Sequence, residues 1–265
     1  MSVLVMMLAV GSAGAQDAPK DPTPPATAPP EQPLSPNNPE SPTNPRRPVW
    51  ELVKDLGSDF THLPTLDTAV ILGVGGAAAL AVHPEDQEVN AHLVGRPWVD
   101  HAFAPGTVVG NAVTQAGVAV ATYAVGKWID GPKTTHIGVD LLRVQILAGA
   151  LTEALKVSVR RDRPDGSGYS FPSGHASLTF ASATVLARHF GWKGYVTYAI
   201  SSYVATSRLH DNRHYLSDVI FGAALGTAAG RTVTRHGRNT WTFAPAPVSR
   251  GVGFFVIRAP AYALR

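Results

Sequence analysis

The sequence predicts an all-α protein, a six-helix bundle preceded by a Pro-rich arm and followed by a short β-hairpin. Two observations predict it. Between Trp50 and Thr234 the chain is rich in Ala, Val, Leu and Gly, in apolar stretches too long for strands and punctuated by Pro and Gly. Before Trp50 and after Arg238 the composition changes character, which bounds the helical part on both sides. A chain of 265 residues with 45% apolar residues can build one core of ordinary size, and a single helical domain over residues 49–236 is expected.

Residues 1–15 read as a secretory signal. The apolar run Val3 to Val10 is followed by small residues ending Ala13-Gly14-Ala15, an A-x-A cleavage pattern before Gln16, although Met1-Ser2 ahead of the run carries no Lys or Arg. The run is too short to span a bilayer. The expectation is therefore an exported protein, periplasmic or membrane-bound, working on the extracytoplasmic side. Residues 16–48 form the arm, where prolines recur every third residue at Pro33, Pro36, Pro39, Pro42, Pro45 and Pro48. A polyproline II helix has three residues per turn, so this spacing sets them along one edge of an extended spacer that buries no core.

Breaks at Pro64, Pro84, Pro97, Pro105-Gly106 and Gly131-Pro132 leave helices near Leu66 to Val82, Thr107 to Trp128, Ile137 to Val159, His175 to Phe190, Gly194 to Ser207 and Ser217 to Thr234. By composition they are marginal as membrane spans. Asn111 and Gln115 interrupt the second, Arg143 and Glu153 the third, and a spanning helix needs about 20 mostly apolar residues. Abundant Gly and Ala suit close helix contact in a membrane, and the same faces suit a soluble core. In the tail, residues 237–265, the β-prone stretches Thr240 to Ala244 and Val252 to Ile257 flank Pro245, Pro247 and Gly251 and predict the hairpin.

A net charge of +3 with scattered basic residues is too thin for a nucleic-acid footprint, so no nucleic-acid partner is expected. The absence of cysteine excludes disulfides, a thiolate nucleophile and thiolate metal sites.

Three blocks carry the chemistry: KVSVRRDRP from Lys156 to Pro164, PSGH from Pro172 to His175, and SRLHDNRHYLSD from Ser207 to Asp218. Lys156 and Arg163, seven apart, project from one face if the helix continues, either as a solvated basic face or as a grip on phosphate, for which an Arg fork and a Lys point charge are suited. Ser173, Gly174 and His175 stand at a helix start, where unpaired N–H groups favour an anion. Ser173 serves equally well as the helix cap, and both roles are compatible. His175 is placed to protonate a leaving oxygen, with a structural histidine as the plainer alternative. His214 and Asp218, four apart and one helical turn, allow the carboxylate to fix the imidazole while its other nitrogen attacks, and Arg208 adds a third cation. His210, His214 and Asp218 at i, i+4 and i+8 also suit a metal, against which the three neighbouring cations argue by repulsion. The remaining histidines, among them His83, His92, His101, His136 and His189, read as isolated, mostly near loops or helix ends.

In residue and spacing the blocks resemble the three signatures of the type 2 phosphatidic acid phosphatase (PAP2) and vanadium haloperoxidase superfamily, K-x6-R-P, P-S-G-H and S-R-x5-H-x3-D, over roughly Val139 to Arg231. The resemblance implies a helical bundle with a metal-independent phosphatase site. His214 attacks, a phosphohistidine forms and His175 protonates the leaving group. Asp218 orients His214, while Lys156, Arg163, Ser173, Gly174 and Arg208 hold the phosphate. No cofactor or metal is implied, and vanadate is expected to inhibit as a phosphate mimic. The implied substrate is a phosphomonoester or pyrophosphate on a lipid or a small ester, and the family's lipid substrates tip the expectation toward a membrane. The alternatives are a vanadium-dependent haloperoxidase, a soluble periplasmic acid phosphatase of broad specificity, and a non-enzymatic phosphate-binding or envelope-spacer protein. In the departures from the signatures, Asp211, Asn212 and Arg213 make the third block more polar than in many relatives, and Leu216 stands where a proline is common.

Overall fold

The computed structural model describes residues 49–94, 97–235, 240–248 and 251–259. The signal segment 1–15 and the Pro-rich arm 16–48 lie outside the described residues. Nine α-helices occur among those described: α1 (Val49–Thr61), α2 (Leu66–Val82), α3 (Asp86–Leu93), α4 (Pro97–Val109), α5 (Ala112–Trp128), α6 (Pro132–Val159), α7 (Gly174–Phe190), α8 (Val196–His210) and α9 (Leu216–Val233). Short 3-10 turns at His83–Glu85 and Gly191–Tyr195 lead into α3 and α8. β1 (Thr240–Val248) and β2 (Gly251–Ala259) pair antiparallel, with Thr240 opposite Ala259 and Val248 opposite Gly251. The all-α class and the C-terminal hairpin are as expected, and the helix count is higher.

The three extra helices are α1, α3 and α4. Pro105, read as a break, lies inside α4, and the chain breaks instead at Gly110 and Asn111, where the Asn111 side chain accepts from Val113 N–H at 2.8 Å and caps α5. Gly110 is needed there because a Cβ would stand 2.4 Å from Val204 Cγ1 and 2.7 Å from the His175 ring. α3 escaped notice because its eight polar-rich residues show no apolar period.

The core lies between α5, α6, α7 and α9, built from Ala119, Leu141, Val144, Leu147, Ala181, Val185, Ala229 and Val233. Burying side chains such as Leu147 and Val144, both fully enclosed, contributes about 1.5–3 kcal/mol each. α9 crosses α7 at backbone contact, because Gly222, Gly226 and Gly230 recur every fourth residue and present no side chain to it. A Cβ on Gly226 would meet the Ser177 carbonyl oxygen at 2.1 Å, and one on Gly222 the Ser173 carbonyl oxygen at 2.7 Å. The stripe thus draws the start of α7 onto the start of α9.

The outer faces are apolar. Val70, Val74 and Leu80 of α2 and Val113, Val118 and Val120 of α5 are all more than half exposed. Leu66–Leu93, 28 residues within which an 18-residue stretch reaches a mean hydropathy of 1.6, is long and apolar enough to cross a membrane. Val99–Val109 and Ala112–Trp128 would make a second span only if the pair, bent by 55°, is counted as one.

Gly226→Val is expected to lower stability by about 1–3 kcal/mol through overpacking against the α7 backbone. Gly57→Ala, where a Cβ meets nothing within 4 Å, should instead gain up to ~1 kcal/mol of helix propensity. Thermal unfolding followed by circular dichroism separates the two, and equal midpoints would dismiss the close-contact account.

Candidate active site

The first block does not lie on one continuous helix. α6 stops at Val159, and Arg160 turns the chain with φ 53° in the left-handed region, so Lys156 sits on the last helical turn and Arg163 in the following loop. Both charges nevertheless act on His214. The Lys156 ammonium pairs with Glu153 at 3.2 Å and lies 3.5 Å from where a Cβ of Gly174 would stand, which places it over the start of α7. Ser173 caps α7 loosely, its hydroxyl 3.5 Å from Ala176 N–H, and its own N–H donates to the Asp218 carbonyl at 3.0 Å.

In the third block, α8 ends at His210 and α9 begins at Leu216, so His214 precedes the helix that carries Asp218. The reading of both on one helix is corrected to a loop residue facing the first turn. His214 Nδ1 stands 3.8 Å from Asp218 Oδ2, an ion-pair distance beyond a hydrogen bond, and this nitrogen is buried with no hydrogen-bond partner among the described residues. The metal alternative for His210, His214 and Asp218 also dissolves. His210 turns away, with Nε2 2.8 Å from Asp100 Oδ1 and Nδ1 3.0 Å from the Leu93 carbonyl.

Arg208 is buried, held by Asp211 and by the Thr107 hydroxyl at 3.1 Å. Its Nε and that of Arg163 are buried without partners among the described residues. Unmet buried guanidinium donors suit a bound oxyanion. His175 Nε2–H donates to the Thr107 carbonyl at 3.2 Å.

Burial is the main reason that the pKa of both histidines is lowered. For His214 it outweighs the facing Asp218, and Arg163 and Lys156 push the same way, so the ring is neutral. For His175, burial and the nearby Arg208 bring it down to about 4.

Residues 138–241 match the family model of the PAP2 superfamily. They are a PAP2 domain. The chain is 40% identical over 89 residues to the lipid A 1-phosphatase of Porphyromonas gingivalis, covering 32% of this chain and 20% of that protein. It is 36% identical over 101 residues to the decaprenylphosphoryl-5-phosphoribose phosphatase of Mycobacterium tuberculosis, covering 34% of this chain and 56% of that one. The chain thus spans between a fifth and somewhat over half of the length of these curated relatives. Among solved structures, the transmembrane PAP2-type phosphatidylglycerolphosphate phosphatase of Bacillus subtilis shares the fold, with a TM-score of 0.51 and 24% identity over 63% of this chain and 92% of that chain.

The site has a support that the motifs do not spell. Arg161, read only as part of a basic stretch, donates to Asp218 Oδ1 at 2.7 Å, to the Ser217 hydroxyl at 2.7 Å and to Asp86 Oδ2 at 2.8 Å, and it stacks 4.1 Å over the Tyr215 ring. Asp86, on the unforeseen α3, accepts from Ser217 N–H at 2.9 Å and from its hydroxyl at 2.5 Å. Ser170 and Tyr215 N–H supply the other Asp218 oxygen at 2.5 and 2.9 Å. Burial raises the Asp218 pKa, but the facing imidazole, these donors and the Arg161 charge more than offset it and hold the carboxyl below its usual range. His83, Nδ1 3.0 Å from Asp86 Oδ2, stands at the exposed rim of this network. The signal for Arg161 was its place inside the first block; Asp86 carried none.

With its pKa lowered to about 4, His175 is neutral at pH 7, and an anion that offsets the neighbouring cations would raise that pKa. Orthophosphate binding at pH 7 is therefore expected to take up close to one proton beyond what phosphate itself exchanges. Calorimetry in two buffers of different ionisation enthalpy reads this uptake, which should vanish in His175→Asn. Equal uptake in both proteins would remove His175 from the pocket's proton balance.

Proposed function

We propose that this chain is a metal-independent phosphatase that cleaves phosphomonoesters or pyrophosphates, on lipids in preference to soluble esters, through a phosphohistidine on His214. The observation that carries it is a neutral, buried imidazole with a buried carboxylate behind Nδ1 and cations at Lys156, Arg163 and Arg208 around it. A neutral imidazole keeps its lone pair, so His214 Nε2 is the attacking atom.

In the first step the Nε2–P bond forms while the P–O ester bond breaks, and the departing alkoxide takes a proton from His175. In the second, water attacks phosphorus, gives its proton to His175 and breaks the N–P bond, which releases phosphate and restores neutral His214. The three cations and the N–H groups at the start of α7 offset the charge on the equatorial oxygens. No step calls on a metal. Vanadate, which adopts the trigonal-bipyramidal shape of the transition state, should inhibit.

Lipid substrates are supported by the outward apolar faces of α2 and α5, which in water would leave a large apolar area unpartnered. The named substrates of the relatives from P. gingivalis and M. tuberculosis, one a lipid A phosphate and the other a decaprenyl phosphosugar, point the same way. A membrane-bound protein acting on the extracytoplasmic side follows if residues 1–15 direct export.

His214→Ala is expected to reduce hydrolysis of p-nitrophenyl phosphate by roughly 10³-fold or more, while EDTA leaves the wild-type rate unchanged. Wild-type turnover in that variant, or loss of activity with EDTA, would overturn the mechanism. Arg161→Gln and Asp86→Asn should each lower kcat about ten- to a hundredfold, the worth of one or two hydrogen bonds to a charged group, with KM little altered because neither touches substrate. A rise in KM at constant kcat would instead make them binding groups.

A further inference from the structure

At the other end of α6 and α7, about 22 Å along α7 from the active site at 1.5 Å per residue, two histidines that the sequence presented as isolated converge on one carboxylate. His136 and Asp140 are four apart on α6, and His189 comes from the last turn of α7. His189 Nε2 lies 2.8 Å and His136 Nε2 3.6 Å from the same oxygen, Asp140 Oδ2. One atom from each of the three residues falls within 4.8 Å of the others. The two rings meet edge to face with centroids 5.2 Å apart.

We propose that His136, Asp140 and His189 bind a divalent transition-metal ion, zinc by its chemistry, as a staple between α6 and α7. Zinc takes imidazole nitrogen and carboxylate oxygen at about 2.0–2.2 Å in a tetrahedron, which spaces its ligand atoms roughly 3.3 Å apart. The observed 2.8 and 3.6 Å bracket that spacing, so small side-chain rotations suffice. His189 Nε2 is within hydrogen-bond reach of Asp140 Oδ2. His136 Nε2 aims at the same oxygen from beyond hydrogen-bond reach, as a ligand sharing an ion with it would.

The surroundings suit a cation as well. Asp140 Oδ1 accepts from Arg143 Nη1 at 3.2 Å, which leaves Oδ2 facing the histidines. Arg143 is fixed in turn by Asp59 of α1, through Nε at 2.8 Å and Nη2 at 2.6 Å, the outer support that orients a ligating carboxylate. Asp59 and Asp140 are both buried against the Arg143 guanidinium. His136 and His189 each keep a sliver of exposure, which opens an entry path and a fourth position for water. The proposal does not depend on the phosphatase reading, since no residue is shared between the two sites.

The test uses the full chain in detergent, stripped with EDTA and titrated with zinc against a chromophoric chelator. One equivalent is expected to bind and to raise the thermal midpoint. Cobalt(II) should give the visible bands of a four-coordinate site. His136→Gln and His189→Gln should each weaken zinc at least about a hundredfold, more than the ten- to hundredfold typical of losing an outer-shell partner. Both should keep p-nitrophenyl phosphate hydrolysis, which also reports that they fold. The double variant His175→Asn with His214→Ala should retain the one equivalent. Stoichiometric zinc missing from the helical, active wild-type chain, or surviving in the His136 and His189 variants, would overturn the proposal.

Discussion

The site depends on one carboxylate. Asp218 is fully buried and touches all three sequence blocks: Arg161 from the first, Ser170 and the Ser173 N–H beside the second, and Tyr215 and His214 within the third. A buried carboxylate with several charge-assisted donors stays ionised and fixed, whereas one short of donors would take up a proton. Because its side-chain donors and backbone acceptor face different segments, Asp218 sets where each block can sit. His214 is thereby held against a fixed negative charge at 3.8 Å, close enough to stabilise the imidazolium-like charge that the proposed attack of Nε2 on phosphorus would develop.

That junction requires two helix starts to meet closely, and the Gly222, Gly226 and Gly230 stripe permits it. With larger residues the axes of α7 and α9 would separate, and the Ser173 N–H would lose the Asp218 carbonyl. Packing density in the core and geometry at the phosphate pocket are therefore one constraint. α3 closes the arrangement from outside, as Asp86 pins Ser217, Gln87 reaches the Tyr215 hydroxyl at 3.2 Å and Asn90 reaches Asn212 at 3.3 Å.

Much of this was legible in the sequence, and the misses have physical causes. The sequence bounds α2 to the residue and α7 to within one, since Pro64 breaks the chain just before the first and Ser173 caps the second. The candidate residues of the site stand out in the sequence because charge and acid-base chemistry admit few substitutes. The path between them does not: the left-handed turn at Arg160 and the loop position of His214 are backbone events that seven- and four-residue spacings cannot distinguish from helix. Asp86 and the pairing of His136 with His189 depend on contacts between segments distant in the chain, and a single sequence carries no trace of such contacts.

The pocket's charge also decides where the leaving-group proton comes from. Burial lowers the His175 pKa to about 4, and Arg208 and Lys156 act in the same direction, so before substrate arrives the proposed acid is neutral and holds only the N–H that it donates to the Thr107 carbonyl. A phosphate group brings the missing negative charge, and with it the field that lets His175 hold a proton. The proton arrives either on a singly protonated phosphate or from solvent as the pocket fills. On the proposed mechanism catalysis is therefore coupled to substrate charge: a neutral ligand of the same shape would leave His175 unprotonated and Arg208 with Asp211. On that mechanism the cations proposed to bind phosphate also make the proposed acid conditional on phosphate being there.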